Sequence, residues 1–114
     1  GYRADLPVRA ELGLSSDRLR VGEELSFTVT LEAESAGAAL VDYRLRFHRP
    51  RGSAEKVFKL GAGDLTPGVP LHLGKRHRLK GNATTFTLHP GPHAVIVQVN
   101  GRDVAEAGFE LLPA

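Results

Sequence analysis

The stretch VIVQVNGRDVAEAGFEL, residues 95–111, decides the fold class. Apolar side chains occupy every second position over residues 95–99, and again over residues 105–111. This period of two is the pattern of a β-strand with one buried face. Between the two runs, Asn100 and Gly101 favour a type I′ turn, because both of its central positions need positive φ. The stretch therefore predicts an antiparallel hairpin.

The same alternation extends over most of the chain. It is strong at residues 25–31 and 41–48, and weaker strands are predicted at residues 8–14, 55–60, 71–79 and 84–88. Turns rich in Gly, Pro and Ser separate these segments, and no segment has a convincing helical period. The sequence RVGE leading into the strand at 25–31 is typical of immunoglobulin-like or fibronectin-like domains. We therefore predict an all-β, immunoglobulin-like antiparallel β-sandwich of about seven to eight strands.

Length and composition set further limits. The 114 residues fit one domain, and we expect residues 1–7 to be the end of a linker and residues 8–114 to form the sandwich. The chain has no Cys, which excludes disulfides and thiolate metal sites. No apolar run approaches the roughly 20 residues that span a bilayer, so no membrane partner is expected. Because Met is absent as well, we expect a domain excised from a longer, cytoplasmic bacterial protein, and a monomer.

Charge is segregated along the chain. Residues 44–80 hold ten Lys or Arg against only Glu55 and Asp64, a local net charge of +8. The other residues hold five basic and eleven acidic side chains, a net charge of −6. Concentrated cations create a local potential that the total of +2 hides. The pattern indicates a polyanion-facing surface, although solvated surface charge is the ordinary alternative for any single residue.

Strand alternation predicts where these cations point. Arg44, Arg46 and His48 share the solvent face of their strand, as Arg76, Arg78 and Lys80 do on theirs. His77 shares the buried face with the leucines of its strand. No aromatic residue interleaves the exposed basic rows, so contact with a duplex backbone is favoured over stacking of single-stranded bases.

The residues do not predict catalysis by this domain. The five His residues form no pair with metal-ligand spacing, and no Asp/Glu cluster completes a site. No Ser lies in a nucleophile-elbow pattern, and Gly61-Ala62-Gly63 is too short to cradle a phosphate. We expect neither a metal nor another cofactor, and an enzymatic role ranks last among the functions considered.

Five short motifs in order carry a resemblance to a known family. They are VDY at 41–43, KVFK at 56–59, KRH at 75–77, TT at 84–85 with PGPH at 90–93, and VQVNG at 97–101. Over residues 40–111 the chain resembles the C-terminal immunoglobulin-like domain of bacterial DNA alkylation repair proteins of the AlkC type. In that family, HEAT-like helical repeats of the same chain carry the glycosylase activity on N-alkylated purines such as 3-methyladenine. This sequence has no helical-repeat portion.

The resemblance implies an accessory domain that clasps duplex DNA beside the HEAT-like catalytic domain. It implies backbone or minor-groove contacts from Lys56, Lys59, Lys75, Arg76 and His77, and turn-shaping roles for His93 and Asn100-Gly101. Charge alone adds Arg78, Arg46, Arg44 and Arg51 to the predicted DNA contacts. The alternative is a structural or adhesion module of a secreted or cell-surface protein, which would bind glycan or protein through its loops.

Overall fold

The computed structural model describes residues 2–81 and 87–114, which contain eight strands and no helix. The strands are β1 Val8–Leu14, β2 Arg18–Arg20, β3 Glu24–Ala33, β4 Gly37–His48, β5 Ser53–Leu65, β6 Leu71–Arg78, β7 Gly91–Val99 and β8 Arg102–Leu112. They form a three-stranded sheet of order β1-β3-β6 and a five-stranded sheet of order β2-β8-β7-β4-β5. The predicted all-β sandwich is confirmed. No helix in the described residues could cross a membrane.

One strand pair departs from the antiparallel pattern. The three residues of β2 run parallel to β8, whereas the other neighbouring strands are antiparallel. The chain leaves β1 in the small sheet and crosses to the far edge of the large sheet at β2, so it meets β8 in the same direction. A strand this short carries too little alternation for its partner to be deduced from the sequence.

The core lies between the two sheets and follows the predicted alternation. On β3 the inward residues Leu25, Phe27, Val29 and Leu31 are all buried, as are the four alternate residues of β4 from Val41 to Phe47. The rings of Phe27 and Tyr43 meet edge to face across the two sheets, with centroids 5.1 Å apart. The predicted buried faces of these two strands are therefore confirmed.

The hairpin between β7 and β8 is also confirmed. Asn100 and Gly101 have φ of 53° and 82°, the left-handed conformation that a type I′ turn requires. Asn is one of the few residues other than Gly that accepts this conformation readily.

The edge strand β5 is longer than predicted, because it continues through Gly61 and Gly63. A Cβ atom at Gly61 would lie 3.2 Å from a methyl group of Leu73 on β6, tighter than an ordinary contact. These glycines thus let β5 approach the other sheet closely, a role that Gly often has inside strands. The strand predicted at residues 84–88 falls mainly on residues 82–86, outside the described part of the chain, and Thr87 and Leu88 are in no strand.

Candidate nucleic-acid interface

A groove opens where the edges of the two sheets meet, between β5 and β6. Its volume is about 530 Å³, and none of the described residues that line it is acidic. Six cations surround it: Lys56, Lys59, Lys75, Arg76, Arg78 and Lys80. Its floor consists of Tyr43, Phe47, Phe58, His77, Leu79 and Leu88. We call this feature the β5/β6 groove. Six of the nine residues predicted as DNA contacts line it, namely Lys56, Lys59, Lys75, Arg76, His77 and Arg78.

The β5/β6 groove receives cations from both faces of β6. Lys75 lies opposite the buried Phe27, so it has inward parity, yet it is exposed because β6 is an edge strand. Arg76 and Arg78 lie opposite Ser26 and Glu24 and have outward parity. At the edge of a sandwich, neighbouring residues on opposite faces can reach the same opening. The basic run at 75–80 therefore surrounds one side of the groove.

Several groove cations have no acidic partner. Among the residues that the structure describes, none forms an ion pair with Lys59, Lys75, Arg76 or Lys80. Arg78 donates to a backbone carbonyl, that of Gly22, at 3.4 Å. Uncompensated like charges on a concave surface raise the local positive potential, which attracts anions.

His77 lies in the floor of the groove and not on its rim. Its Nδ1 is 2.8 Å from the hydroxyl of Tyr43, and its ring meets the ring of Phe58 at a centroid distance of 4.6 Å. Burial, together with the charge of Lys75, lowers the pKa of His77, so the imidazole is neutral at pH 7. Burial raises the pKa of Tyr43 to about 12, so its hydroxyl stays protonated. His77 therefore adds no fixed charge to the groove.

The aromatic floor was missed by the sequence reasoning. The prediction that no aromatic side chain interleaves the exposed basic rows considered only outward positions. Tyr43 and Phe58 pair in register on the inward side of β4 and β5, with ring centroids 5.3 Å apart. Tyr43 is completely buried, whereas Phe58 is only partly buried because its strand is the sheet edge. The segment 55–59 holds three charged residues, Glu55, Lys56 and Lys59, which indicates an edge strand, since edge strands favour Lys.

Arg44 and Arg46 lie elsewhere. They point outward from β4 as predicted, but that face is the outer face of the large sheet and does not border the β5/β6 groove. Arg44 donates to the side chains of Asp103 and Gln98, and its Nε lies 3.3 Å from a carboxylate oxygen of Glu55. The guanidinium of Arg46 lies 3.0 Å from the carboxylate of Glu55 and 3.5 Å from that of Glu106.

This network has a structural role. Asp103 raises the pKa of Arg44 through a side-chain hydrogen bond, and Arg44 lowers the pKa of Asp103 in turn. Beneath the network, Ile96 of the central strand β7 lies opposite Arg44 and Glu106 and is 1% exposed. The aliphatic stems of long cationic side chains can cover such an apolar residue. The structure thus separates Arg44 and Arg46 from the groove cations with which the sequence grouped them.

Arg51 is also separate from the groove. It is exposed in the turn between β4 and β5, where Gly52 has φ of 86° and its carbonyl accepts from the amide of Arg49 at 3.1 Å. Arg51 lines its own shallow depression, together with Pro50 and Ser53. It is placed to contact a ligand only if that ligand extends beyond the β5/β6 groove.

His93 has a structural role in the core. His93 is 4% exposed, its Nδ1 lies 2.9 Å from the carbonyl oxygen of Gly91, and its ring packs against Phe47 and Phe109. Burial is the main cause that lowers its pKa. Within residues 2–81 and 87–114, no group of three or more His, Cys, Asp or Glu side chains could hold a metal ion.

The two perturbed histidines predict acid sensitivity. The pKa values of His77 and His93 are lowered below 6.5 in the folded chain, so the unfolded chain takes up protons first as the pH falls. Stability contributed by their neutral forms is therefore present above pH 6.5 and is lost below it. We expect the urea midpoint to fall between pH 7.5 and pH 5.5.

The matched control for this experiment is the His72→Gln variant, because the side chain of His72 is exposed on β6. The His93→Gln variant should show a smaller loss of midpoint between the two pH values than the His72→Gln variant. Equal midpoints at pH 7.5 and pH 5.5 in the unsubstituted chain would contradict the prediction.

A family model described as "Uncharacterised protein YhaZ, C-terminal Ig-like domain" matches residues 9–113. The chain belongs to this family. Its sandwich is therefore immunoglobulin-like, as the strand pattern predicted. A search of the curated proteins found no match.

Among solved structures, this domain is similar to the Pseudomonas fluorescens alkylpurine DNA glycosylase AlkC bound to DNA containing an abasic site analog. The sequence identity is 32% and the TM-score is 0.85; the match covers 93% of this chain and 30% of that chain. The similarity supports the relation to AlkC-type proteins that the five motifs indicated. The chain thus spans less than a third of the glycosylase that it matches.

More distant similarities concern the fold alone. A β-glucosidase from Listeria innocua is 21% identical with a TM-score of 0.68, over 94% of this chain and 16% of that chain. The sporulation control protein Spo0M of Bacillus subtilis is 18% identical with a TM-score of 0.62, over 94% of this chain and 49% of that chain.

Proposed function

We propose that this YhaZ-type domain is a non-catalytic DNA-binding module of a DNA alkylation repair glycosylase. One observation carries the proposal: cations from β5 and β6, at the edges of two different sheets, converge on a groove that no acidic side chain of the described residues lines. It is supported by 32% identity to a glycosylase whose structure was determined on DNA. The proposal assigns duplex contacts to Lys56, Lys59, Lys75, Arg76, Arg78 and Lys80, with His77 in the groove floor.

The proposed binding is electrostatic. Lys and Arg side chains around the β5/β6 groove contact phosphates and displace condensed counterions from the duplex. Arg76 and Arg78 have outward parity and are exposed, which suits insertion into a narrow minor groove of high negative potential. Contacts of this type position the protein without reading sequence, so recognition of the damaged base belongs to another part of the enzyme.

In the parent protein that we propose, a catalytic domain of HEAT-like repeats in the same chain excises the alkylated base. The present domain holds the duplex from the other side, as a monomer in the bacterial cytoplasm. The adhesion module considered as an alternative would bind through loops. The β5/β6 groove is instead built mainly from strand edges and is lined by six cations, which favours a polyanion.

The test is the salt dependence of DNA affinity. A fluorescently labelled 20-base-pair duplex is titrated with this chain at salt concentrations from 50 to 200 mM. If each of the six groove cations neutralises one phosphate, log affinity against log salt should have a slope of about −5. Unmethylated and methylated duplexes should bind equally. An affinity that does not change over this salt range would overturn the proposal.

A further inference from the structure

The floor of the β5/β6 groove consists of aromatic and apolar side chains, and contacts with the phosphates of a duplex do not account for it. The side chains of Phe58, His77 and Leu88 are partly exposed there, below the cationic rim. Bases within an intact duplex are stacked on one another, so a base reaches such a floor only when it is unstacked from its neighbours. A ligand that contacts both rim and floor must therefore carry an anion and an exposed planar or apolar group.

The floor is rigidly supported from behind. The ring of Phe58 stacks on the buried ring of Tyr43 at 5.3 Å, and the ring of His77 packs edge-on against Phe58 at 4.6 Å. Tyr43 in turn meets Phe27 of the opposite sheet at 5.1 Å. Ring positions fixed in this way lose little conformational entropy when a ligand stacks on them.

His77 also offers a polar group. In the neutral tautomer that carries its proton on Nε2, the hydroxyl of Tyr43 donates to Nδ1. Nε2 has no hydrogen bond to any residue in the described ranges, 2–81 and 87–114, so its N–H is available to an acceptor on a ligand. Lys59 and Lys75, which lack acidic partners there, line the same groove.

We propose that the β5/β6 groove binds one unstacked nucleotide of a DNA strand. The base lies against Phe58 and His77, and the phosphates on either side contact Lys59 and Lys75. Aromatic platforms beside cationic grooves are the usual way in which proteins hold single-stranded nucleic acid. The volume of about 530 Å³ falls in the range of ligand pockets. This inference rests on the proposed DNA-binding function.

The experiment compares two probes with the same backbone: a ten-residue oligothymidylate and a ten-residue oligomer of the abasic tetrahydrofuran analogue. Base–aromatic stacking should make the oligothymidylate bind about tenfold more tightly. The Phe58→Leu variant keeps an apolar side chain against the core and should reduce this ratio to near one. Val57→Ala is the matched control, because Val57 precedes Phe58 on β5 and is exposed on the other face.

A second readout does not depend on a variant. The ring resonances of His77 in an NMR spectrum should shift on adding oligothymidylate and should shift less on adding the abasic oligomer. Equal affinity for the two probes, or a base preference that survives in Phe58→Leu, would overturn the inference. If the two probes bind equally but the duplex still binds with a steep salt slope, the inference fails and the proposed function stands. If no probe shows salt-dependent binding, both fail.

Discussion

Replacing Lys75 and Arg76 by glutamate is expected to weaken duplex DNA binding about 100-fold at physiological salt. At 0.15 M salt, a slope of −0.9 per phosphate corresponds to about fivefold in affinity per contact, so two lost contacts cost about 30-fold. Repulsion between the new carboxylates and the phosphates adds the remainder. The salt slope should become shallower by about two. Fluorescence anisotropy with a labelled duplex measures both quantities.

The matched control is the double variant Arg18→Glu/Arg102→Glu, which changes the net charge by the same amount. Arg18 lies on β2, at the opposite edge of the large sheet from β5, and Arg102 begins β8. This variant should lose much less affinity, because both positions are remote from the β5/β6 groove. Lys75 and Arg76 are exposed, so their replacement should leave the urea midpoint nearly unchanged. Equal losses of affinity in the two double variants would show that only net charge matters and that the groove is not the site.

The fold was largely predictable because one physical signal, the alternation of apolar residues, repeats along the chain. At β3 and β4 the alternation correctly predicted the buried residues, and the Asn100-Gly101 dipeptide predicted the hairpin. The alternation does not predict which strands pair with each other. The parallel pairing of β2 with β8 and the position of β5 and β6 at facing edges depend on contacts between distant residues. Local patterns do not encode such contacts directly.

The candidate site was only partly predictable for the same reason. Alternation showed that Arg44 and Arg46 point outward, but not that β8 places Asp103 and Glu106 beside them. The linear stretch of net charge +8 therefore divides in the fold. Its β4 cations pair with carboxylates on the outer sheet face, whereas its β5 and β6 cations converge on a groove whose described lining holds no acid. The groove geometry therefore supports polyanion binding by the β5 and β6 cations and does not support it for Arg44 and Arg46.

Removal of the Asn100 side chain is expected to be the most destabilising single change considered for this domain. Its Oδ1 accepts from the amide of Leu40 at 2.8 Å, and its Nδ2 donates to the carbonyls of Arg3 and Ala38 at 2.8 and 3.1 Å. These bonds tie the β7–β8 hairpin to the start of β4 and to the segment before β1. The turn-shaping role predicted for Asn100 thus extends to contacts with two distant parts of the chain.

The Asn100→Ala variant should lose about 3 kcal/mol of unfolding free energy in urea denaturation. About 2 kcal/mol comes from the lost hydrogen bonds and the backbone groups left unpaired, and about 1 kcal/mol from an Ala held at positive φ. The Asn100→Gly variant separates the two causes, because Gly accepts φ of 53° and should lose only the hydrogen-bond part. Equal losses in the two variants would show that backbone conformation contributes nothing.

Because Asn100 does not line the β5/β6 groove, both variants should bind duplex DNA normally while folded. A loss of affinity comparable to that of the Lys75 and Arg76 variant would place the hairpin in the DNA interface, and the groove would then be only part of it.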